Sequence, residues 1–201
     1  MKRKLLLLSV LVICVAIAAV GTLAFFNTKA VAHNVITTGG VDIELHEYAD
    51  KACTTDYDTN KTGIMPGMTV DKYARIALAE GSADAWVRVK FEKKITFAAG
   101  NEHAQGKTPN LDLVELTIPE GWLAGENGWY YLEAPLTRSN TPVFALTSVT
   151  FNKTMGNEYQ GATATVDIVA QAVQVANNGD SALTAKGWPA SETGVASGVT
   201  G

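Results

Sequence analysis

The sequence predicts an all-β fold, a jelly-roll-like antiparallel β-sandwich preceded by an N-terminal signal helix. Three observations lead there. Beyond residue 26, apolar and polar residues alternate with period two and hardly anywhere at helical spacing. Clusters of Gly, Pro, Asn and Asp part these runs at intervals suited to turns, and the runs are rich in β-branched and aromatic residues, which fit a pleated, half-buried surface. Seven to nine such strands imply two packed layers.

The first element is the signal helix. Lys2, Arg3 and Lys4 precede a nearly unbroken apolar run, Leu5 to Val20, and small residues stand at Thr22 and Ala24. A basic, an apolar and a small-residue region in that order are the parts of a secretory signal peptide, with cleavage between Ala24 and Phe25. The uncharged run Leu5 to Phe26 also reaches the roughly 20 residues that span a bilayer, so an uncleaved N-terminal anchor is the alternative. Cys14 follows Val12 and Ile13 instead of the small residues that precede a lipidated cysteine, which argues against a lipoprotein.

Residues 25–201 suit one domain with its own core. The signal carries three of the 16 basic residues and none of the 20 acidic ones, leaving a net charge of about −7. That balance excludes nucleic acid as an expected partner. Once Cys14 is removed, Cys53 has no intramolecular disulfide partner, so stability must come from the core.

In chain order, the segment 25–38 is β-tolerant, and Val41, Ile43 and Leu45 then alternate with Asp42, Glu44 and His46. Gly39-Gly40 between them predicts a tight hairpin turn. Residues 48–67, with Asp50, Asp56, Asp58, Asn60, Gly63, Pro66 and Gly67, read as a loop. Strands follow at 73–78, where Ala74, Ile76 and Leu78 share one face, and at 86–97, where Val87, Val89 and Phe91 do. Residues 100–110 are loop, 111–118 a short strand closed by Pro119, 129–132 an aromatic strand, 143–151 and 162–175 longer ones. Alanines and Gln171 in the last would tolerate a helix, but Val166, Ile168, Val169, Val173 and Val175 favour a strand. The tail 177–201 is Gly, Ala, Ser and Thr with little to bury, and is expected to be flexible.

These residues resemble the TasA and camelysin family, secreted proteins of Gram-positive bacteria exported through a dedicated signal peptidase, SipW. The resemblance is carried by GTLAFFNTKAVAHNVITTGGVDIEL (Gly21 to Leu45), by Met65-Pro66-Gly67 before a strand and by Ala85-Trp86-Val87-Arg88-Val89-Lys90. It continues in Gly128-Trp129-Tyr130-Tyr131, Pro142-Val143-Phe144 with Ser148-Val149, and Ala170-Gln171-Ala172-Val173-Gln174. It covers about residues 1–175, and the N-terminal block is its most specific part. Membership implies a jelly-roll subunit of extracellular biofilm-matrix fibres whose N-terminal segment, freed by cleavage, adds as a strand to a neighbouring copy. An open sheet edge and an extended peptide suit each other in that way. The expected donor contacts are Phe25, Phe26, Val31, Val35 and Ile36, and the expected partners are copies of the chain itself, a SipW-type peptidase and other matrix or minor fibre subunits. The domain order is then signal peptide 1–24, donor segment 25–38, sandwich 39–176 and flexible tail 177–201. The plain alternative makes Phe25 and Phe26 the end of the apolar region and the rest an ordinary first strand.

Camelysin-like relatives have been classed as metalloproteases, which makes a cell-surface protease the first rival. A zincin helix needs two histidines four apart with glutamate beside the first. Here His46-Glu47 begins the pattern but Asp50 ends it, on a strand where residues four apart lie roughly 13 Å from each other. His33, His46 and His103 are the three histidines of the chain. Asp56 to Gly63 has the acidic alternation of a calcium loop, with glycine eighth instead of sixth and Gly67 where a glutamate belongs. No nucleophile elbow, phosphate loop or dinucleotide fingerprint occurs, so no enzymatic activity, metal or cofactor is expected. Trp86, Trp122, Trp129, Tyr130 and Tyr131 read either as caps on the core or as a sugar-binding or subunit-contact surface. The second rival is accordingly a membrane-anchored adhesin or sugar-binding module.

Overall fold

Residues 34–38, 40–58 and 65–189 are described in the computed structural model, and strands dominate them. They are β1 (Asn34–Thr38), β2 (Ile43–Tyr48), β3 (Thr69–Leu78), β4 (Ala85–Thr96), β5 (Val114–Thr117), β6 (Trp122–Ala124), β7 (Trp129–Leu132), β8 (Val143–Phe151) and β9 (Thr163–Gln174). One sheet runs β1-β9-β4-β7-β6 and the other β2-β3-β8-β5. The nested partners β1 with β9, β3 with β8 and β4 with β7 give the wrapping of a jelly-roll-like sandwich. The only helical turns among the described residues are 3-10 turns of three residues, so none of them is long and apolar enough to cross a membrane.

Alternation decides which side chains meet between the sheets. Val87, Val89 and Ile95 of β4 and Val166, Ile168, Ala170 and Ala172 of β9 face Leu45, Ala74, Ile76, Leu146 and Val149 in one apolar core. The β4–β9 ladder is its spine, paired without a register break from Ala85↔Gln174 to Thr96↔Thr163. The expected strand at 162–175 forms as β9, its alanines filling a tight inner layer. Residues 111–113 are a 3-10 turn capped by Asn110, whose side chain accepts from the Asp112 N–H, so β5 is shorter than expected.

Three expectations require correction. The hairpin over Gly39-Gly40 does not form: β1 joins the sheet of β9, whereas β2 pairs with β3 in the other sheet. Alternation alone cannot distinguish a turn within one sheet from a crossing between two. Nor is the sandwich wholly antiparallel, because β1 runs parallel to β9, from Asn34↔Val169 to Thr38↔Val173. The segment assigned as donor therefore includes a strand of this fold.

The third correction concerns the tail, whose described part, residues 177–189, packs on the outer face of the β9 sheet. Ala182 and Ala185 are buried there with Trp86 and Val173, and Trp188 lies against them. These three residues recur at intervals of three, too sparse a pattern to stand out in so small-residue a stretch. Asn178 holds the segment in shape: its side chain donates to the Gln174 and Lys186 carbonyls and accepts from the Lys186 N–H, while its carbonyl accepts from Trp86 Nε1 at 3.1 Å.

Under this strap the Arg88 guanidinium lies between two indoles, 4.1 Å from the Trp129 ring and 4.6 Å from that of Trp188. Its Nε and Nη2 both donate to Oε1 of the fully buried Gln171, at 2.8 and 2.6 Å. Removing Trp188 takes away one face of this stack and the cover of Trp86. Trp188→Ala is expected to lower stability by about 2 kcal/mol, through lost burial and a lost cation–π contact, read as a lower urea midpoint. An unchanged midpoint would show that the strap contributes nothing to the fold.

Candidate functional site

A sandwich is open where its outermost strands leave backbone groups without a ladder partner. On one side the rim is made by β1 and β2, on the other by β5 and β6. The first is the candidate site, because it holds the part of the expected donor segment that lies within the described residues.

Of the expected donor contacts, Val35 and Ile36 lie in β1, opposite Ala170 and Gln171 of β9. Val35 shares the inward parity of Ala170 and packs against the main core. Phe25, Phe26 and Val31 lie outside the described residues, as do the cleavage-site residues Thr22 and Ala24.

β1 covers less than half of the twelve-residue β9. It reaches Val169 to Val173 and leaves Thr163 to Ile168 beyond its pairing. The ladder itself tells which groups face that open stretch. The Val175 N–H donates to the Asp84 carbonyl at 3.1 Å, one step past Ala85↔Gln174. Bonded pairs alternate in an antiparallel ladder, so odd-numbered residues of β9 bond to β4. Ala164 and Val166 consequently turn N–H and C=O toward the side of β9 that has no ladder strand among the described residues.

One of these groups is capped from the other sheet. Lys72, only 6% exposed, occupies an inward position of β3 between Val70 and Ala74, at an irregularity in the register with β8. Its Nζ donates to the Val166 carbonyl at 2.8 Å and pairs with Glu47 Oε1 at 2.9 Å. The ammonium also lies 4.8 Å from the centre of the Tyr57 ring. Burial, then the charges of Glu47 and Asp58, push the Tyr57 hydroxyl above its ordinary pKa.

The far rim repeats the device. Asn152 N–H donates to the Leu113 carbonyl, one step past Val114↔Phe151, so the Val114 carbonyl of β5 turns away from β8 while its side chain is buried in the core. Lys93, inward on β4 between Phe91 and Ile95, sends its Nζ across to the Val114 carbonyl at 3.0 Å. Both lysines interrupt an apolar phase, which is the sequence signal that could have singled them out. Inward charges at a sheet edge oppose unplanned strand pairing.

The other expected chemistry is not assembled here. Glu47, the would-be base of a zincin, faces Lys72. His46 stands exposed on β2 with Glu44 Oε2 3.8 Å away, and Asp50 caps the turn at Thr54 and Thr55. Desolvation of Asp50 opposes ionisation, but the hydrogen bonds from Thr54 and Thr55 together outweigh it and hold its carboxyl below the usual range. His103 lies in an exposed turn with its N–H on Asn101, while His33 and Asn60 to Gly63 lie outside the described residues. Among the described residues no group of three His, Cys, Asp or Glu side chains gathers as a metal site. The aromatic residues divide between two packed clusters. Trp122 and Tyr130 join the main core, where Trp122 Nε1 donates to the Phe144 carbonyl, and Trp86, Trp129 and Tyr131 lie on the outer face with Trp188.

No protein-family model matches the chain, and neither a curated protein nor a solved structure shows significant similarity to it.

The Lys72–Glu47 pair makes a stability difference that can be measured. Lys72→Met leaves a mostly buried carboxylate without its cation and is expected to cost about 3 kcal/mol. Lys72→Met with Glu47→Gln removes the charge as well and is expected to recover at least half of that loss in urea unfolding. Equal losses in the single and double variants would mean that the pair is not coupled.

Proposed function

We propose that this chain is the secreted structural subunit of an extracellular biofilm-matrix fibre, polymerising by donor-strand addition after cleavage by a SipW-type signal peptidase. In this reading it acts without catalysis, its first partner is its own copy, and other matrix or minor fibre subunits join it.

The observation that carries the reading is the place of β1. It is a five-residue strand at the N-terminal side of the domain, on the rim, parallel where its neighbours are antiparallel, and joined to β2 by the short link 39–42. Its removal would uncover backbone groups of β9 and part of the core at Ala170 and Ala172. A β1 from a second copy in the same register restores those bonds and contacts, so exchange between copies conserves nearly all the energy of the pairing. The signal sequence supplies the control, since an attached apolar run would hold the segment at the membrane until it is cut. The resemblance to the TasA and camelysin family points the same way.

The test compares residues 25–201, with Phe25 as the true N-terminus, with a chain that begins at Gly40. Fibres from the first and monomers from the second, folded by circular dichroism, are the expected outcome in sedimentation and negative-stain microscopy. If both remain monomeric at high concentration the reading fails, and metal analysis with a casein-cleavage assay tests the protease rival.

A further inference from the structure

We propose that the outer face of the β2-β3-β8 sheet recognises an acidic glycan, with Arg75 taking the carboxylate of a uronic-acid unit and the rings of Tyr73 and Phe144 bearing on the sugar. This is a second role for the subunit, independent of strand donation.

Arg75 stands on the outward side of β3 with Asp71 and Tyr73, and its register partners are His46 on β2 and Phe144 on β8. Arginine presents five N–H donors in a planar fork that fits a carboxylate. Arg88 directs its fork to Gln171 and Arg138 donates to the Ala79 carbonyl, whereas Arg75, half-buried, has no hydrogen bond or ion pair among the described residues.

The rings lie around that guanidinium. Tyr73 and Phe144 meet edge to face with centroids 5.7 Å apart. Tyr48, the register partner of Tyr73, continues the row, its ring centre 6.4 Å from that of His46. Tyr48, Tyr73 and Phe144 are half-buried, and the side chains of His46 and Glu44 beside them are 47% and 54% exposed. Such a row on a sheet offers apolar contact to the C–H face of a sugar and phenolic hydroxyls to its polar edge.

Charge selects among anions. Glu44 and Asp71 share the face with Arg75 and are exposed, so a dense polyanion meets repulsion there. A glycan whose carboxylates are spaced by neutral sugars sets one of them on Arg75 and donates hydroxyls to the flanking carboxylates, which accept. On the opposite sheet a guanidinium among rings also occurs, but there the chain's own Trp188 closes over Arg88.

The experiment titrates residues 25–201 with hyaluronan oligosaccharides, in which uronates alternate with uncharged sugars, beside chitin oligosaccharides and polyglutamate at physiological ionic strength. Wild type is expected to bind the hyaluronan fragments in preference to both controls. Arg75→Gln should weaken that binding about tenfold, and Tyr73→Leu, which keeps an apolar contact for Phe144, about fivefold. Lys94→Gln, the same charge change at an exposed position of the other sheet, should leave it unaltered. No binding by folded wild type overturns the proposal, as do equal losses in Arg75→Gln and Lys94→Gln, which would mark unspecific attraction. Equal binding of chitin fragments or of polyglutamate overturns it as well, the first by removing the carboxylate from recognition and the second by removing the sugar. Should a variant fail to fold, amide shifts in the wild type decide: the site requires them at Tyr73, Arg75 and Phe144, and shifts confined to other strands contradict it.

Discussion

The constraint on which this fold turns is that backbone groups along the rim of a sandwich must find partners. The interior is settled by the β4–β9 ladder and the alternating apolar layers around it. The rim is settled less uniformly. β1 covers part of β9, the loop after β2 bonds back to it through Tyr57 N–H on the Glu47 carbonyl and Ala49 N–H on the Thr55 carbonyl, and the inward lysines Lys72 and Lys93 cap carbonyls at Val166 and Val114. An inward lysine is an expensive way to satisfy a carbonyl, because the ammonium loses water on entering the core.

Most of the fold is legible in the sequence, for physical reasons that vary with the element. β4 and β3 show the two-residue period of a half-buried strand, and β9 betrays itself by β-branched residues despite its alanines. Pairing is less legible. Gly39-Gly40 has the chemistry of a hairpin turn, yet the chain crosses there from one sheet to the other, because β9 offers β1 a buried edge that a local hairpin would leave open. β6, three residues long between glycine-rich turns, carries too little pattern to be recognised. The strap carries too few apolar residues, Ala182, Ala185 and Trp188, for its order to be legible in the sequence. Its order comes from long-range contacts with Trp86, Val173 and Arg88.

The candidate site is legible in part. Val35 and Ile36 fall where an N-terminal pairing strand requires them, but the strand that receives them is a property of topology and not of local pattern. Lys72 and Lys93 were visible as charges in apolar phase, and the sequence offers no means of knowing that each reaches a carbonyl on the opposite sheet. The aromatic residues illustrate the converse. Trp86 and Trp129 occupy outward positions that could have formed an open platform, and the strap and Arg88 cover them instead. The outer face of that sheet is therefore covered by the chain itself.

The most direct test asks whether β1 in a fibre pairs with its own β9 or with a neighbour's. Cysteines at Val35 and Ala170, which are register partners, placed in residues 25–201 with Cys53→Ser, can be oxidised before and after assembly and resolved on a non-reducing gel. Strand donation requires a ladder of disulfide-linked multimers from the assembled protein and an internally linked monomer from the unassembled one. A single monomer band from assembled fibres would contradict it, because β1 would then have stayed at home while the subunits joined by another surface.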